Sequence, residues 1–202
     1  RLVDGGRLTI DVDAQGAIRD LSQHIADIDG KTLGAETLAA IAALDPTALP
    51  LAPQGVRLGP PVGNVRNFIA IGLNYADHAA EAGLRIPREP VIFNKIGNCI
   101  VGPNDDIMMP KGGEKLDWEV EIAFVISKRA RYVDEKDAAS YIAGYLACND
   151  VSERHFQTER SGQWVKGKCC ETFGPLGPWL VTPDDAGDVD QLGMWLDVNG
   201  KR

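Results

Sequence analysis

The feature that most constrains this sequence is a pair of glutamates, Glu119 and Glu121, inside the apolar run from Trp118 to Ile126. β-Branched and aromatic residues dominate the run, which predicts a β-strand. Alternate side chains of a strand share a face, so the two carboxylates point the same way, roughly 7 Å apart. The other face is wholly apolar and is expected to pack against a core. It comprises Trp118, Val120, Ile122, Phe124 and Ile126.

Two neighbouring anions repel each other, and their burial is unfavourable unless a cation or a proton compensates. An isolated Glu-x-Glu is more often found on a solvated sheet face, because surface glutamates are common. Other motifs must therefore decide whether Glu119 and Glu121 belong to a functional cleft.

The composition limits the classes of partner. The chain has 202 residues, 44% of them hydrophobic, enough for one core domain and a small accessory domain. A net charge of −8 without a basic cluster disfavours nucleic acid and anionic membranes as partners. No apolar stretch approaches the roughly 18 residues of a membrane span, and no signal-peptide pattern opens the sequence. The four cysteines lack a Cys-x-x-Cys pair, which predicts free thiols and a cytoplasmic location.

Residues 1–60 are predicted to form a small N-terminal α/β domain. It has a strand at Arg7–Val12, a helix near Gly34–Leu44 stopped by Asp45-Pro46, and a proline-rich connector at residues 49–61. A domain boundary near residue 60 follows from this pattern.

Residues 64–202 are predicted to form a second, β-rich domain. Strands are expected at Phe68–Gly72 and Val91–Lys95, and a helix within Leu73–Gly83. A further helix is expected near Glu135–Leu146, and a turn at Gly174–Pro178 should lead into a strand. Short strands separated by Gly/Pro turns indicate an α+β fold that is mainly β.

Both ends of the sequence are expected to continue in the native protein. The chain begins at Arg1 and ends with a predicted strand, Met194–Val198, followed by the hairpin signal Asn199-Gly200. A hairpin with one arm leaves its hydrogen-bonding edge unpaired.

Asp150 ends the apolar run Gly144–Asn149, so its carboxylate is placed to project into a cleft. The alternative is that it caps a helix starting at Ser152. Together with Glu119 and Glu121 it offers three oxygen ligands, a set that suits Mg²⁺ or Mn²⁺ better than Zn²⁺.

His78 and Glu81 are three residues apart on a predicted helical turn, so their side chains can meet. A carboxylate beside an imidazole raises its basicity, as a general base requires, although an ordinary solvent-facing pair is the commoner case. Lys168 offers positive charge for an oxyanion, against the default of a surface lysine.

Four motifs together resemble the fumarylacetoacetate hydrolase family. They are Gly72–His78, Asp117–Glu121, Asn149–Arg154 and the segment from Gly167 to Pro178, and the resemblance covers residues 64–200 in the same order. It implies a mixed β-sheet roll or sandwich of that family's type for residues 64–202, with the domain C-terminally incomplete.

The resemblance also implies roles for individual residues. Glu119, Glu121 and Asp150 match Mg²⁺ ligands, and His78 and Glu81 match a His-x-x-Glu dyad on a lid that orders when substrate binds. Lys168 matches the active-site lysine, Gln157 a glutamine that contacts substrate or water, and Lys95 a substrate-binding lysine. Two departures stand out. Members usually end with a Gly-Thr-Pro segment that this chain lacks, and Cys169-Cys170-Glu171 replaces the usual small-aromatic-acidic sequence.

The activity implied is Mg²⁺-dependent hydrolysis of a carbon–carbon bond in a 2,4-diketo acid of the acylpyruvate type, releasing pyruvate. The sequence around Gln163–Lys168 is most similar to bacterial hydrolases of 2,4-diketo-3-deoxy sugar acids. Similar sequences are also labelled ureidoglycolate lyase or 2-hydroxyhepta-2,4-diene-1,7-dioate isomerase, and decarboxylation of oxaloacetate-like acids is a further alternative. The expected partner is a small keto acid, and the expected assembly is a homodimer.

Overall fold

The computed structural model describes residues 2–3, 7–8 and 10–202. The N-terminal elements are the strands β1 (Leu2–Val3), β2 (Arg7–Leu8), β3 (Ile10–Val12) and β4 (Ile18–Asp20), helix α1 (Ala35–Ala42) and a 3-10 helix at Pro46–Ala48. The remaining elements are β5 (Ile69–Gly72), α2 (Ala76–Glu81), β6 (Val91–Asn94), β7 (Ile100–Val101), β8 (Leu116–Asp117), β9 (Val120–Ile126), β10 (Ile142–Asn149), β11 (Ser152–Glu153), α3 (Val165–Lys168), β12 (Gly174–Pro175) and α4 (Pro183–Ala186), with 3-10 helices at Gly97–Cys99, Glu135–Tyr141 and Val189–Gln191 and a π-helix at His155–Glu159.

Most strand pairs are antiparallel. β1 pairs with β2, β3 with β4, β5 with β6, β8 with β11 and β9 with β10, whereas β7 and β12 are parallel. The mixed helix and strand content confirms the α+β prediction; a roll or sandwich arrangement stays a prediction. None of the helices in the described residues has both the length and the apolar character that crossing a bilayer requires.

The N-terminal segment shares a core with the rest of the chain. Leu33, Val62 and Ala143 form one buried cluster, and Val125 packs against it. The Gly63 amide also donates to the carbonyl of Ile28 at 2.8 Å. The segment around Ile28 and Leu33 therefore packs directly on β9 and β10, and the predicted domain boundary stays a prediction.

Several local predictions are confirmed. Helix α1 lies inside Gly34–Leu44, and β5, α2 and β6 lie where the sequence placed them. The predicted strand Arg7–Val12 appears as β2 and β3; Thr9 between them lies outside the described residues.

The helix predicted near Glu135–Leu146 is wrong beyond Tyr141. Residues Glu135–Tyr141 form a 3-10 helix, and the chain then continues as β10. Pairing with β9 overrides the helical propensity of this segment, because its apolar side chains gain cross-strand neighbours there.

The face of β9 that packs inward is also the opposite of the predicted one. Ala123 and Val125, on the same face as Glu121, pack in core clusters. Leu146, paired with Ala123 on β10, is buried against Leu176, and this packing decides which face of the sheet is covered. The expected core face is instead open: Trp118 is 49% exposed, Phe124 57% and Ile126 47%.

Residues 194–198 do not form the predicted C-terminal strand, but the turn predicted after them is present. Asn199 and Gly200 have φ of 52° and 74°, as a type I′ turn requires. Val198 and Lys201 exchange backbone hydrogen bonds across it at 2.8 and 3.0 Å. The strand predicted after the Gly174–Pro178 turn does not form: β12 lies inside the predicted turn, and Val181 makes only an isolated bridge with Tyr145.

The four cysteines are free thiols, as predicted. Burial raises the pKa of Cys99 to about 11 and that of Cys148 to about 12. Both therefore stay protonated at neutral pH and contribute packing rather than nucleophilic reactivity.

Gly167 allows α3 to approach β11 and the π-helix closely. A Cβ at this position would lie 2.3 Å from the carbonyl oxygen of Glu153 and 2.7 Å from the amide nitrogen of Gln157. Both neighbours are backbone atoms, so neither can move without shifting its element.

We expect Gly167→Ala to destabilise the fold by about 1–3 kcal/mol, the usual cost of forcing extra volume into a packed interior. The urea midpoint of unfolding, followed by circular dichroism, measures it. Gly193→Ala is the matched control, because a Cβ there meets nothing within 4 Å. Equal midpoints for the two variants would contradict this account of α3 packing.

Candidate functional site

The predicted carboxylates meet between two antiparallel strand pairs that share the same register. β9 pairs with β10 so that Asn149 faces Val120, and β8 pairs with β11 so that Ser152 faces Asp117. Continuing the register between them places Glu119 opposite Asp150, whose amide donates to the Glu119 carbonyl at 2.9 Å. Glu121 lies two residues further along and faces Cys148. The convergence predicted from the sequence therefore arises from a single antiparallel register, although Glu119 precedes β9 rather than lying within it.

Glu121 carries the clearest electrostatic signature of this cluster. Burial, followed by the charges of Glu119 and Asp150, raises the pKa of Glu121 from its ordinary 4.5 to about 7. Lys168 and the Tyr75 hydroxyl oppose that shift. Burial and the neighbouring carboxylates thus disfavour the ionised form of Glu121, so a proton or a further cation is favoured beside it.

Lys168 lies between two of the carboxylates. Lys168 is the last residue of α3, and its side chain is only 2% exposed. The alternative of an ordinary surface lysine is therefore wrong. Its Nζ is 2.8 Å from Glu119 Oε2 and 2.7 Å from Asp150 Oδ2. The same Nζ lies 5.1 Å from the ring centroid of Phe93.

Lys95 approaches Asp150 from the other side. It follows β6, and its Nζ is 2.5 Å from Asp150 Oδ1. Burial alone would raise the pKa of Asp150, but Lys95 and Lys168 outweigh it and hold that pKa below the ordinary value. Asp150 is therefore an ionised, buried carboxylate between two ammonium groups and not a helix cap; the π-helix starts after Arg154 without a side-chain cap. Removing one partner of a buried pair costs about 3–5 kcal/mol.

Arg154 is a site residue that the sequence reasoning missed. Its guanidinium donates to Asp117 at 2.8 Å, to Glu119 at 2.5 Å and to Gln157 Oε1 at 2.9 Å. It thereby joins the buried Gln157 to the carboxylate cluster. Arg154 lies four residues after Asp150 within the family motif Asn149–Arg154, and this position could have indicated a role in the site.

Tyr75 is the second missed residue. Its hydroxyl lies beside Glu121, and burial followed by the Glu121 charge raises the pKa of Tyr75 above its ordinary value. Tyr75 directly precedes α2, so this contact holds the start of that helix next to the cluster.

His78 and Glu81 are not brought together. Both lie on α2 and are exposed, and no hydrogen bond or ion pair joins them within residues 10–202. Their predicted pairing as a dyad stays a prediction.

The donor set fits a hard divalent cation, although no three His, Cys, Asp or Glu side chains in the described part of the chain already stand at ligand spacing. Asp150 Oδ1 is buried and receives no well-directed hydrogen bond despite its close contact with Lys95. A buried carboxylate oxygen with a free lone pair, next to Glu119 and to a Glu121 whose pKa is raised, matches the oxygen-only ligands that Mg²⁺ and Mn²⁺ prefer.

Two open concavities flank the cluster without including its carboxylates among their lining residues. One, of about 520 Å³, is lined by β6 and residues 162–165; the other, of about 430 Å³, is lined by Trp118 and residues near the C-terminus. Phe93 lines the first and also contacts Trp164 edge-to-face at 5.5 Å. Because Lys168 Nζ lies over the same ring, Phe93 separates this concavity from the charged cluster.

Comparison with known proteins identifies the family. Residues 67–202 match the family model described as fumarylacetoacetate (FAA) hydrolase C-terminal. A Burkholderia cenocepacia protein named "Putative hydrolase" is 54% identical over 191 residues, which are 95% of this chain and 68% of that protein.

Solved structures agree. A fumarylacetoacetate hydrolase from Exiguobacterium antarcticum is 31% identical with a TM-score of 0.74, over 91% of this chain and 66% of that one. A 5-carboxymethyl-2-hydroxymuconate delta-isomerase from Mycobacterium smegmatis is 42% identical with a TM-score of 0.58, over 66% of this chain and 53% of that one. This sequence thus spans about two thirds of its curated relative. With the matched model covering more than half of its residues, the chain belongs to the fumarylacetoacetate hydrolase family.

Proposed function

We propose that this chain belongs to a divalent-metal-dependent enzyme that hydrolyses the carbon–carbon bond of a 2,4-diketo acid and releases pyruvate. The observation that carries the proposal is that Glu119 and Asp150 face each other between the β9–β10 and β8–β11 strand pairs, with Lys168 Nζ within 2.8 Å of both. Acidic ligands and a buried cation in one place supply both a metal site and a group that stabilises an oxyanion. Acids of the 2,4-diketo-3-deoxy sugar type are the proposed natural substrates, and a homodimer is the proposed assembly.

Glu119, Glu121 and Asp150 are the residues that would hold the cation. When bound, Mg²⁺ or Mn²⁺ supplies Lewis-acid polarisation of the substrate's keto and carboxylate oxygens. The raised pKa of Glu121 supports this assignment, because burial and the neighbouring carboxylates disfavour its ionised form, which a divalent cation would stabilise.

The remaining steps belong to side chains of the protein. Glu81 and His78 take a proton from water, and the resulting hydroxide adds to the 4-keto carbon. Lys168 and Gln157 stabilise the tetrahedral oxyanion. When that oxyanion collapses, the C3–C4 bond breaks, leaving a carboxylic acid and the enolate of pyruvate, which takes up a proton.

The dyad has to approach the cluster for this chemistry. Helix α2 is anchored at its start by Tyr75 beside Glu121, whereas His78 and Glu81 further along it are exposed. We therefore propose that α2 closes over bound substrate about this anchored end.

Isomerisation or decarboxylation is the second candidate, and one observation favours it: within residues 10–202 no hydrogen bond or ion pair joins the exposed His78 and Glu81. Neither reaction needs an attacking water, so neither needs the dyad. The similarity to a delta-isomerase supports this candidate as well. Ureidoglycolate cleavage remains a third possibility within the same charged site.

An assay of a panel of 2,4-diketo acids tests the proposal directly. We expect pyruvate release from simple acylpyruvates with Mg²⁺ or Mn²⁺, and loss of that release with excess EDTA, restored by adding back the metal. Oxaloacetate and an isomerase substrate belong in the same panel. Turnover of these two without turnover of any acylpyruvate would reject hydrolysis in favour of the second candidate.

Glu119→Gln should weaken metal binding and turnover together, because the neutral amide is a poorer ligand for a hard cation. Removing a ligand should lower Mn²⁺ affinity by at least about 10-fold, as even supporting residues of metal sites do. Mn²⁺ titration by electron paramagnetic resonance and pyruvate release measure the two effects. Glu135→Gln is the control, since Glu135 is exposed on a 3-10 helix away from the cluster. Normal metal dependence in Glu119→Gln would exclude this ligand role.

His78→Ala separates the two reaction types. Acylpyruvate hydrolysis should fall by about 100-fold or more, the usual contribution of general base catalysis, whereas oxaloacetate decarboxylation should largely persist. Asp77→Ala on the same helix is the control. Equal effects of His78→Ala on both reactions would show that the histidine does not activate water.

A further inference from the structure

Lys95 is enclosed by protein although it carries a charge. It directly follows β6, and its side chain is 1% exposed. A buried ammonium is tolerated only where its charge and its donors are satisfied locally.

Three acceptors surround the Lys95 ammonium. Its Nζ lies 2.7 Å from the carbonyl oxygen of Lys168 and 3.2 Å from that of Val151. The third neighbour is Asp150 Oδ1 at 2.5 Å. The two carbonyls take two of its three N–H donors, and Asp150 Oδ1 lies against the ammonium, so this enclosed side chain has no open side for a substrate oxygen.

The same neighbours are the supports of the carboxylate cluster. Val151 directly follows Asp150, and the Lys168 carbonyl belongs to the residue whose side chain bridges Glu119 and Asp150. One ammonium therefore links the backbone after β10 to the last residue of α3. Moving either segment would change the Lys168–Asp150 distance.

We propose that Lys95 is a positioning residue that fixes Asp150 and the backbone of Lys168 and does not contact substrate. This replaces the substrate-binding role that the family resemblance implied. The inference relies on the proposed function only for its kinetic comparison.

The test is Lys95→Met in the full-length protein, which keeps the length of the side chain and removes its charge and donors. Mn²⁺ affinity, measured by electron paramagnetic resonance, should fall roughly 10–100-fold, as for other residues that support metal ligands. For an acylpyruvate, kcat should fall while KM changes by less than about threefold, because ground-state binding of substrate is not removed. Lys166→Met is the matched control: Lys166 lies on α3, is exposed, and among residues 10–202 its ammonium donates to the Arg160 carbonyl alone.

A direct substrate contact gives a different result. If KM rises about tenfold or more with kcat and Mn²⁺ affinity unchanged, Lys95 binds substrate and the proposal is overturned.

A second measurement needs no turnover. Lys95→Met should lower the urea midpoint more in the wild-type background than in an Asp150→Asn background, because contacting residues are energetically coupled. Equal shifts overturn the proposal. If Lys95→Met does not fold alone, folding of the double variant supports the link through Asp150, and its failure to fold overturns it. If the wild-type protein releases no pyruvate from any 2,4-diketo acid, the proposed function fails, while the Mn²⁺ and urea measurements still decide the role of Lys95.

Discussion

The site depends on the balance of charge around Asp150. This carboxylate is buried between two ammonium groups, Lys95 and Lys168, at 2.5 and 2.7 Å. Burying one such charge alone would be strongly unfavourable, so the three side chains are stable only as a set. Because each comes from a different part of the chain, the set ties β6, β10 and α3 to one point. The remaining polar contacts, including those of Arg154 and Gln157, are arranged around that point.

Within this arrangement the two lysines have different hydrogen-bond acceptors. Lys95 donates to two backbone carbonyls and also contacts Asp150, whereas the side-chain hydrogen bonds of Lys168 go to the carboxylates of Glu119 and Asp150. Backbone carbonyls cannot leave without moving their segments, so Lys95 is the more firmly held of the two ammonium groups. The two lysines are similarly buried, and their acceptors distinguish them.

The local sequence pattern predicted several of the helices and strands and most of the residues of the charged cluster. Period-two alternation predicted that Glu119 and Glu121 share one side of a strand; Glu119 precedes β9, although both carboxylates belong to one charged cluster. The order of motifs identified the family. The pattern could not predict which strands pair with each other or which side chains pack across them. The first part of β10, Ile142–Leu146, was predicted as helical because only the pairing of that strand with β9, a non-local contact, decides its conformation. The buried face of β9 was misassigned for the same reason, since Leu146 on the neighbouring strand determines it. Arg154 and Tyr75 lie within the family motifs, but their contacts with Glu119 and Glu121 arise only once the strands are in register, so the sequence did not predict a role for them.

The irregularity between Ile142 and Gly144 has a consequence for how related sequences can vary in length. It shifts the β9–β10 pairing at the end next to the connecting segment, whereas the pairing from Gly144 to Asn149 runs unbroken toward Glu119. A slip of one residue would turn every side chain of a strand to the opposite face and carry Asp150 away from the lysines. Since an extra residue can be absorbed in a bulge, insertions and deletions near residues 127–141 need not propagate to the chemistry. That connection is therefore the part of the β9–β10 hairpin expected to tolerate changes in length best.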